Sequence, residues 1–178
     1  MIFQAVQDRF PPGVTLPLPL RSLCDFLDSH GYPIRGCFEI NIRDGEAQSW
    51  FPGDEAMQNQ IAVFGNGSTG SIYALWLAQT TDADRAPVVM LGSEGDFKAL
   101  ATSPLEFCRL LGCGYDELDW DNLSSEPECW DEASPLRHWL QQNLQLSIPR
   151  TGAEIAAAAA EITPPFAEWV TKWQEKNL

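Results

Sequence analysis

The chain has 178 residues, of which 25 are acidic and 11 are Lys or Arg, and its formal net charge is −14. An excess of negative charge this large repels the phosphates of nucleic acids and of anionic membranes, so we expect neither as a partner. The length fits one domain, and the first residues show neither the basic start of a signal peptide nor an apolar stretch that could cross a bilayer.

Five cysteines are spread along the chain, at positions 24, 37, 108, 113 and 129, and no C-x-x-C pair is present. An odd number of scattered cysteines favours free thiols in a reducing compartment, so we predict a cytoplasmic protein. Cys37 and Cys108 fall within apolar patterns and are expected to be small core residues. His30 and His138 are far apart and have no cysteine nearby, so we predict no metal site and no other cofactor.

The first third of the chain predicts one helix and two short strands. The helix would end near Gly31, before Pro33, and would carry on one face Leu20, Leu23, Cys24 and Leu27. Residues 37–42 are predicted to form the first strand, and residues 50–53 to end a second short strand and turn.

A glycine-rich segment follows the apolar run at residues 61–64 and matches the dinucleotide-binding pattern G-x-G-x-x-G through Gly65, Gly67 and Gly70. In that motif a helix must follow, because the pyrophosphate is held at the helix N-terminus. The apolar, aromatic-rich residues 71–78 instead predict a strand. The phosphate-loop pattern also fails, since Ser71 stands where a lysine is required. We therefore interpret the three glycines as a structural turn between two strands.

Residues 88–91 and 98–101 are predicted to form the last strands. The connections between the predicted strands are too short for crossover helices, which favours antiparallel pairing. The sequence therefore predicts an α+β fold in which a mainly antiparallel sheet of about six strands is flanked by helices.

Helix starts are clearly marked in the second half of the chain. Ser103, Pro104 and Glu106 form a capping box with proline at the first helical position. Similar starts at residues 134–135, 151–154 and 163–164 predict further helices in an extension over residues 134–178. In the last helix, Trp169 and Trp173 lie one turn apart and are expected to face the core or a docking surface. The pattern leaves open whether the extension packs on the sheet or forms a separate arm.

A series of strands and glycines runs from residue 36 to residue 120. It consists of GCFEI at 36–40, IAVFG at 61–65, GSIYALW at 70–76, PVV at 87–89, LGSEG at 91–95, LA at 100–101 and the helix at 103–111. This series resembles the SUKH superfamily, which includes bacterial toxin-immunity proteins and the yeast Smi/Knr cell-wall regulators. The resemblance implies one SUKH-like domain of bacterial origin that acts by binding protein. The two ends of the chain depart from the family pattern, so the resemblance implies no partner specificity there.

Acidic residues are concentrated between residues 116 and 132, a stretch without Lys or Arg. The predicted partner-binding residues are its carboxylates and tryptophans: Asp116, Glu117, Asp119, Trp120, Asp121, Glu126, Glu128, Trp130, Asp131 and Glu132. Carboxylates on a surface attract a basic partner and speed its association, and large aromatic rings anchor interfaces. The alternative is a solvated loop that favours solubility, with its tryptophans pinned onto the domain.

The sequence gives little reason to expect a catalytic site, because it has no G-x-S-x-G or H-E-x-x-H motif and no cysteine with a nearby activating histidine. We therefore expect that this chain is not an enzyme. By the resemblance, the chain is expected to be an immunity protein that occludes the active site of a cognate basic toxin, such as a nuclease or another nucleic-acid-modifying domain. The alternative is a regulatory or scaffold adaptor that binds a housekeeping protein. A third interpretation is a small-molecule sensor that uses a sheet face near Trp50, Tyr73 and Trp76.

Overall fold

The structure is a computed structural model that describes residues 1–118 and 121–177. Its centre is an antiparallel sheet of five strands that follow one another in chain order. The strands are β1 (Glu39–Ile40), β2 (Ile61–Asn66), β3 (Ile72–Trp76), β4 (Val88–Leu91) and β5 (Phe97–Ala101). The predicted α+β class and the mainly antiparallel pairing are confirmed. Short connections favour this arrangement, since an antiparallel neighbour can be reached through a tight turn.

Helices flank the sheet on both sides. Within the described residues they are α1 (Ile2–Gln7), α2 (Leu18–His30), α3 (Glu46–Trp50), α4 (Glu55–Gln58), α5 (Pro104–Cys113), α6 (Ser134–Leu144), α7 (Ala153–Ala160) and α8 (Phe166–Asn177). The sequence predicted α2 and α5 to α8 but did not predict α1, α3 or α4. None of the helices in the described part of the chain has the length and apolar character needed to cross a membrane.

The sheet has five strands where the sequence predicted about six, and the predicted strand ending at residues 50–53 is wrong. Residues 46–50 form α3, which follows Gly45 in a left-handed conformation with a φ of 83°. Asp54 then accepts a hydrogen bond from the N–H of Met57 and starts α4. The apolar pair Trp50 and Phe51 packs from these short helices against the sheet, which explains its strand-like sequence.

The prediction that Cys37 is a core residue is also wrong, because its side chain is exposed. Gly36 and Cys37 both have left-handed backbones, with φ values of 76° and 47°. This double turn directs the thiol to the surface and delivers Phe38 into the core. Cys108, in contrast, is buried as predicted.

Both faces of the sheet are buried under helices. On one face, Phe38, Phe64, Tyr73 and Phe107 form an aromatic cluster with ring centroids 5.4–6.0 Å apart. The helices α1, α2, α5 and α6 contribute to the core on this face. Alternate residues of the strands point to the other face, which gives the strands nearly continuous apolar sequences.

The second face is covered by α3, α4 and α8. Here Phe51, Trp76 and Trp173 belong to one cluster, and the rings of Phe51 and Trp173 lie 5.1 Å apart. The indole N–H of Trp173 donates a hydrogen bond of 2.8 Å to the carboxylate of Asp54, which ties α8 to the start of α4. The end of the predicted C-terminal extension therefore packs on the sheet and does not form a separate arm.

This layering removes the sheet face on which a small-molecule sensor was predicted. Tyr73 belongs to the core on one face and Trp76 to the core on the other, and both side chains are fully buried. Trp50 lies partly buried near the ring of Phe97. The three aromatic residues thus line no common surface.

The glycine-rich segment joins β2 to β3, and a strand follows it as predicted. Each glycine has a separate role. Gly65 lies under Phe38, and a Cβ atom at this position would come within 2.2 Å of Cε2 of that ring. The N–H of Gly67 donates to the C=O of Ser71 and closes the turn. Gly70 has a φ of 82° and open space around it.

We predict that Gly65→Ala lowers the free energy of unfolding by about 1–3 kcal/mol, because the added methyl group collides with a buried ring. Gly70→Ala should lower it by about 1–2 kcal/mol, through backbone strain alone. Urea unfolding followed by tryptophan fluorescence measures both values. An unchanged midpoint for Gly65→Ala would contradict the close packing of Phe38 on this glycine.

Candidate partner-binding surface

The acidic stretch connects α5 to α6, and we call this connection the acidic loop (residues 114–133); its described residues are irregular except for a short 3-10 helix at Trp130–Ala133. Gly114 starts the loop in a left-handed conformation with a φ of 94°. A Cβ atom on Gly114 would lie 2.7 Å from Cβ of Ala133, so the two ends of the loop are in close contact. Glycine is favoured here by both its backbone angle and the lack of space.

Tyr115 fixes the loop from inside. Its ring is buried, and its hydroxyl lies 2.8 Å from the C=O of Leu123 and 2.7 Å from the C=O of Ser125. The same oxygen accepts a hydrogen bond of 2.9 Å from the N–H of Gly152, just before α7. Burial raises the pKa of Tyr115 above its ordinary value. One side chain thus ties the middle of the loop to the C-terminal helices.

Arg35 closes the loop from the opposite side. Its guanidinium forms salt bridges with Asp116 and, at 2.8 Å, with Glu132. The arginine side chain is 16% exposed, whereas the two carboxylates are 60% and 62% exposed. The N–H of Gly36 also donates to the C=O of Tyr115 at 2.8 Å. The segment before β1 therefore supplies the positive charge that the acidic stretch itself lacks.

Two of the predicted carboxylates are engaged in holding the loop. Asp121 accepts hydrogen bonds from the N–H groups of Asp116 and Glu117, at 2.9 and 3.1 Å. The carboxylate of Glu117 accepts a hydrogen bond of 3.2 Å from the hydroxyl of Ser68, in the turn between β2 and β3. It also lies 3.9 Å from Sγ of Cys37. These carboxylates have structural partners within the chain.

Trp130 is covered by arginines of the same chain. The guanidinium of Arg137 lies 3.8 Å from its ring centroid and that of Arg150 lies 4.4 Å away. Arg150 also forms a salt bridge of 2.7 Å with Glu126. The arginines stack on the ring through cation–π contacts and leave it partly buried. This geometry favours the pinning role for Trp130 over the role of an anchor for a partner.

The remaining predicted residues fall into two groups. Glu128 and Asp131 are exposed, and within the described part of the chain neither carboxylate has a hydrogen-bond or salt-bridge partner, although the charge of Asp131 acts on Arg137 and Arg150. Asp119 and Trp120 lie outside the described residues, so their predicted role stays a prediction. Among the described residues, the two exposed carboxylates without a salt-bridge partner, Glu128 and Asp131, lie in the second half of the loop.

The thiols near the loop are poor nucleophiles. Although the side chain of Cys37 is exposed, partial desolvation and the carboxylates of Glu117 and Asp116 raise the pKa of its thiol. A hydrogen bond with Glu132 raises the pKa of Cys129. Because only the thiolate attacks, both effects slow thiol chemistry at neutral pH. Among the described residues, no group of three or more His, Cys, Asp or Glu side chains is placed to hold a metal ion.

Sequence reasoning located the acidic loop but missed the arginines that fold onto it. Arg35 is 81 residues from Asp116 and 97 residues from Glu132. No local pattern predicts a pairing over such a distance. The stacking of Arg137 and Arg150 on Trp130 is equally invisible in the sequence, although Arg137 lies on α6, whose start the sequence predicted.

The chain was compared with protein-family models, curated proteins and solved structures, and none of the three comparisons gave a match.

We predict that Tyr115→Phe lowers the free energy of unfolding by about 1–3 kcal/mol, because the buried N–H of Gly152 and the facing carbonyl groups lose their partner. Tyr32→Phe is the matched control, since its half-exposed hydroxyl accepts only the N–H of Ile40. Chemical unfolding of both variants should give the larger loss for Tyr115→Phe. Equal losses would show that Tyr115 does not hold the loop in place.

Glu117→Gln should lower the pKa of Cys37 and speed its alkylation by iodoacetamide at mildly alkaline pH, because one of the charges that disfavour the thiolate is removed. Peptide mapping by mass spectrometry measures the rate at this cysteine. Glu128→Gln, in the same loop but without a contact to Cys37, should leave the rate unchanged. A rate that responds equally to both substitutions would rule out the direct influence of Glu117.

Proposed function

We propose that this protein acts by binding another protein, and that it is an immunity protein that neutralises a basic toxin of the cell that makes it. The toxin would be a nuclease or another nucleic-acid-modifying domain, and the bound protein would occlude its active site. The proposal includes membership of the SUKH superfamily and a bacterial, cytoplasmic origin. The five cysteines, all of them free thiols, support a reducing compartment.

The observation that carries the proposal is the excess of exposed negative charge on a fixed loop. The described part of the acidic loop contains seven carboxylates. Three arginines pack against it, namely Arg35, Arg137 and Arg150, so negative charge is in excess. The carboxylates of Asp116, Glu126 and Glu132 remain about 60% exposed although each has a salt-bridge partner. A basic partner would therefore still meet a negative surface.

The order of the loop, like its charge, supports a role in binding. Tyr115, Asp121 and Arg35 hold the loop through hydrogen bonds within the chain, so little conformational entropy would be lost when a partner binds. A nuclease must present a basic surface to grip phosphates, and fixed carboxylates that replace the phosphates can block it. No chemical step by the inhibitor is needed for this mechanism.

The experiment starts with a tagged form of the protein as bait in a lysate of its own host, washed at low and at high salt. A basic partner that is retained at low salt and released at high salt is the expected result, because exposed ion pairs are screened by salt. Recovery of a housekeeping complex that resists salt would contradict the toxin proposal and favour the adaptor.

With the purified partner, Glu128→Lys combined with Asp131→Lys should slow association by about tenfold, because both substitutions reverse free carboxylates. These positions are preferred over Asp121 and Glu117, because charge reversal to Lys there would break hydrogen bonds that hold the loop. The control is Glu161→Lys combined with Glu175→Lys, which changes the net charge equally at exposed positions outside the loop. Equal association rates for the two double variants would exclude the acidic loop as the contact surface.

A further inference from the structure

A pocket of about 420 Å³ opens beside the acidic loop. Three parts of the chain line it: residues 32–39, which lead into β1, residues 67–68 of the glycine-rich turn, and Asp116 of the acidic loop. We call it the Tyr32 pocket. The glycine-rich turn between β2 and β3 therefore also contributes to the surface next to the loop.

Hydrogen bonds join the walls of this pocket to the acidic loop. The hydroxyl of Ser68 donates to the carboxylate of Glu117 at 3.2 Å, which ties the glycine-rich turn to the loop. The N–H of Gly36 donates to the C=O of Tyr115 at 2.8 Å, which ties the segment before β1 to the same loop. The pocket is thus formed before any partner arrives, so little conformational entropy would be lost on binding.

Tyr32 supplies an exposed aromatic wall. Its side chain is 51% exposed, whereas every other Phe, Tyr and Trp among the described residues is buried or half-buried. Its hydroxyl accepts a hydrogen bond of 3.0 Å from the N–H of Ile40, which fixes the ring beside β1. A large ring held at the surface is a typical anchor for a protein partner and can stack with a cation.

The charge at this pocket is negative. Glu39 and Asp116 line it, and both are exposed. Desolvation raises the pKa of Tyr32 and the charge of Glu39 adds to this effect, so this carboxylate acts on the ring that forms the wall. Arg35 is the one basic residue in the described lining, and its guanidinium is already paired with Asp116 and Glu132. Glu39 therefore leaves negative charge in excess beside an exposed aromatic ring.

We propose that the Tyr32 pocket receives an arginine side chain of the bound protein. The planar guanidinium would stack on the ring of Tyr32 and bond to the carboxylate of Glu39 or Asp116. Lysine fits less well, because an ammonium group offers neither a planar face for stacking nor a bidentate contact. This inference rests on the proposed function for the nature of the partner, a basic protein. It adds a division of roles, in which the acidic loop attracts the partner and the pocket holds it.

The first test needs no toxin and uses Nα-acetyl-arginine methylamide as the probe. In NMR spectra of the labelled protein, the amides of Cys37, Gly67 and Ser68 should shift as the probe is added. The matching citrulline probe has the same shape without the charge and should cause shifts about threefold smaller. Equal shifts with both probes, no shifts at all, or arginine shifts as large near the exposed Glu161 as in the pocket would overturn the proposal.

A substitution in the pocket gives a matched comparison with the same probe. Glu39→Gln should weaken binding of the arginine probe by about threefold, because it removes a carboxylate that lines the pocket. The control Glu161→Gln removes an exposed carboxylate outside the pocket and should not change binding. An equal effect of the two substitutions would contradict a specific arginine site.

The second test uses the purified toxin partner and separates the two proposals. Tyr32→Leu should speed dissociation of the complex by about tenfold, because it removes the anchoring ring. Glu128→Lys combined with Asp131→Lys should act mainly on association. Unchanged dissociation of Tyr32→Leu, with its fold checked by urea unfolding, would overturn the pocket as an anchor and leave the role of the loop intact. Binding of the arginine probe by a protein that captures no basic partner would contradict the toxin proposal and not the pocket.

Discussion

Burial of both sheet faces is the constraint on which the rest of this structure depends. Every residue of β3 and β4 is buried, so the strands offer no face to a ligand. Partners must therefore meet the loops, the edges of the sheet or the outer faces of the helices. The edge strand β5 is packed against α7 and α8, whereas most described carboxylates of the acidic loop are exposed at the surface.

The carboxylates of the acidic loop fall into two groups: some hold the loop in place, and others stay exposed at the surface. Asp121 and Glu117 bind groups of the same chain, and Asp116 and Glu132 are drawn together by Arg35. Exposed salt bridges of this kind each contribute only about 0–1 kcal/mol, so their main effect is to fix geometry rather than to stabilise the whole fold. Glu128 has no such partner among the described residues, and Asp131 acts on Arg137 and Arg150 only through its charge, so both exposed carboxylates remain available to a basic protein.

Much of the fold could be predicted from the sequence, because buried strands and capped helices leave local patterns. Ser103 accepts the N–H of Glu106 at 3.3 Å as the capping box predicted, although the carboxylate of Glu106 binds Arg109 instead of returning to the cap. The errors arose where tertiary contacts override the pattern. Trp50 and Phe51 are apolar because helices α3 and α4 pack on the sheet, and Cys37 is exposed because two left-handed residues precede β1. At the candidate site, the sequence shows the acidic stretch but not its partners. Arg35 precedes β1, whereas the acidic loop follows β5 and α5.

The described residues of the acidic loop are held in place before any partner arrives, and amide hydrogen exchange tests this most directly. In the native protein, the amides of Gly152 and of the loop residues bonded to Asp121 should exchange slowly. In Arg35→Ala, the loop amides should exchange faster while those of β3 and β4 stay protected. Loop amides that exchange at the rate of an unfolded chain in the native protein would contradict the account, because a disordered loop could not present a fixed pattern of carboxylates.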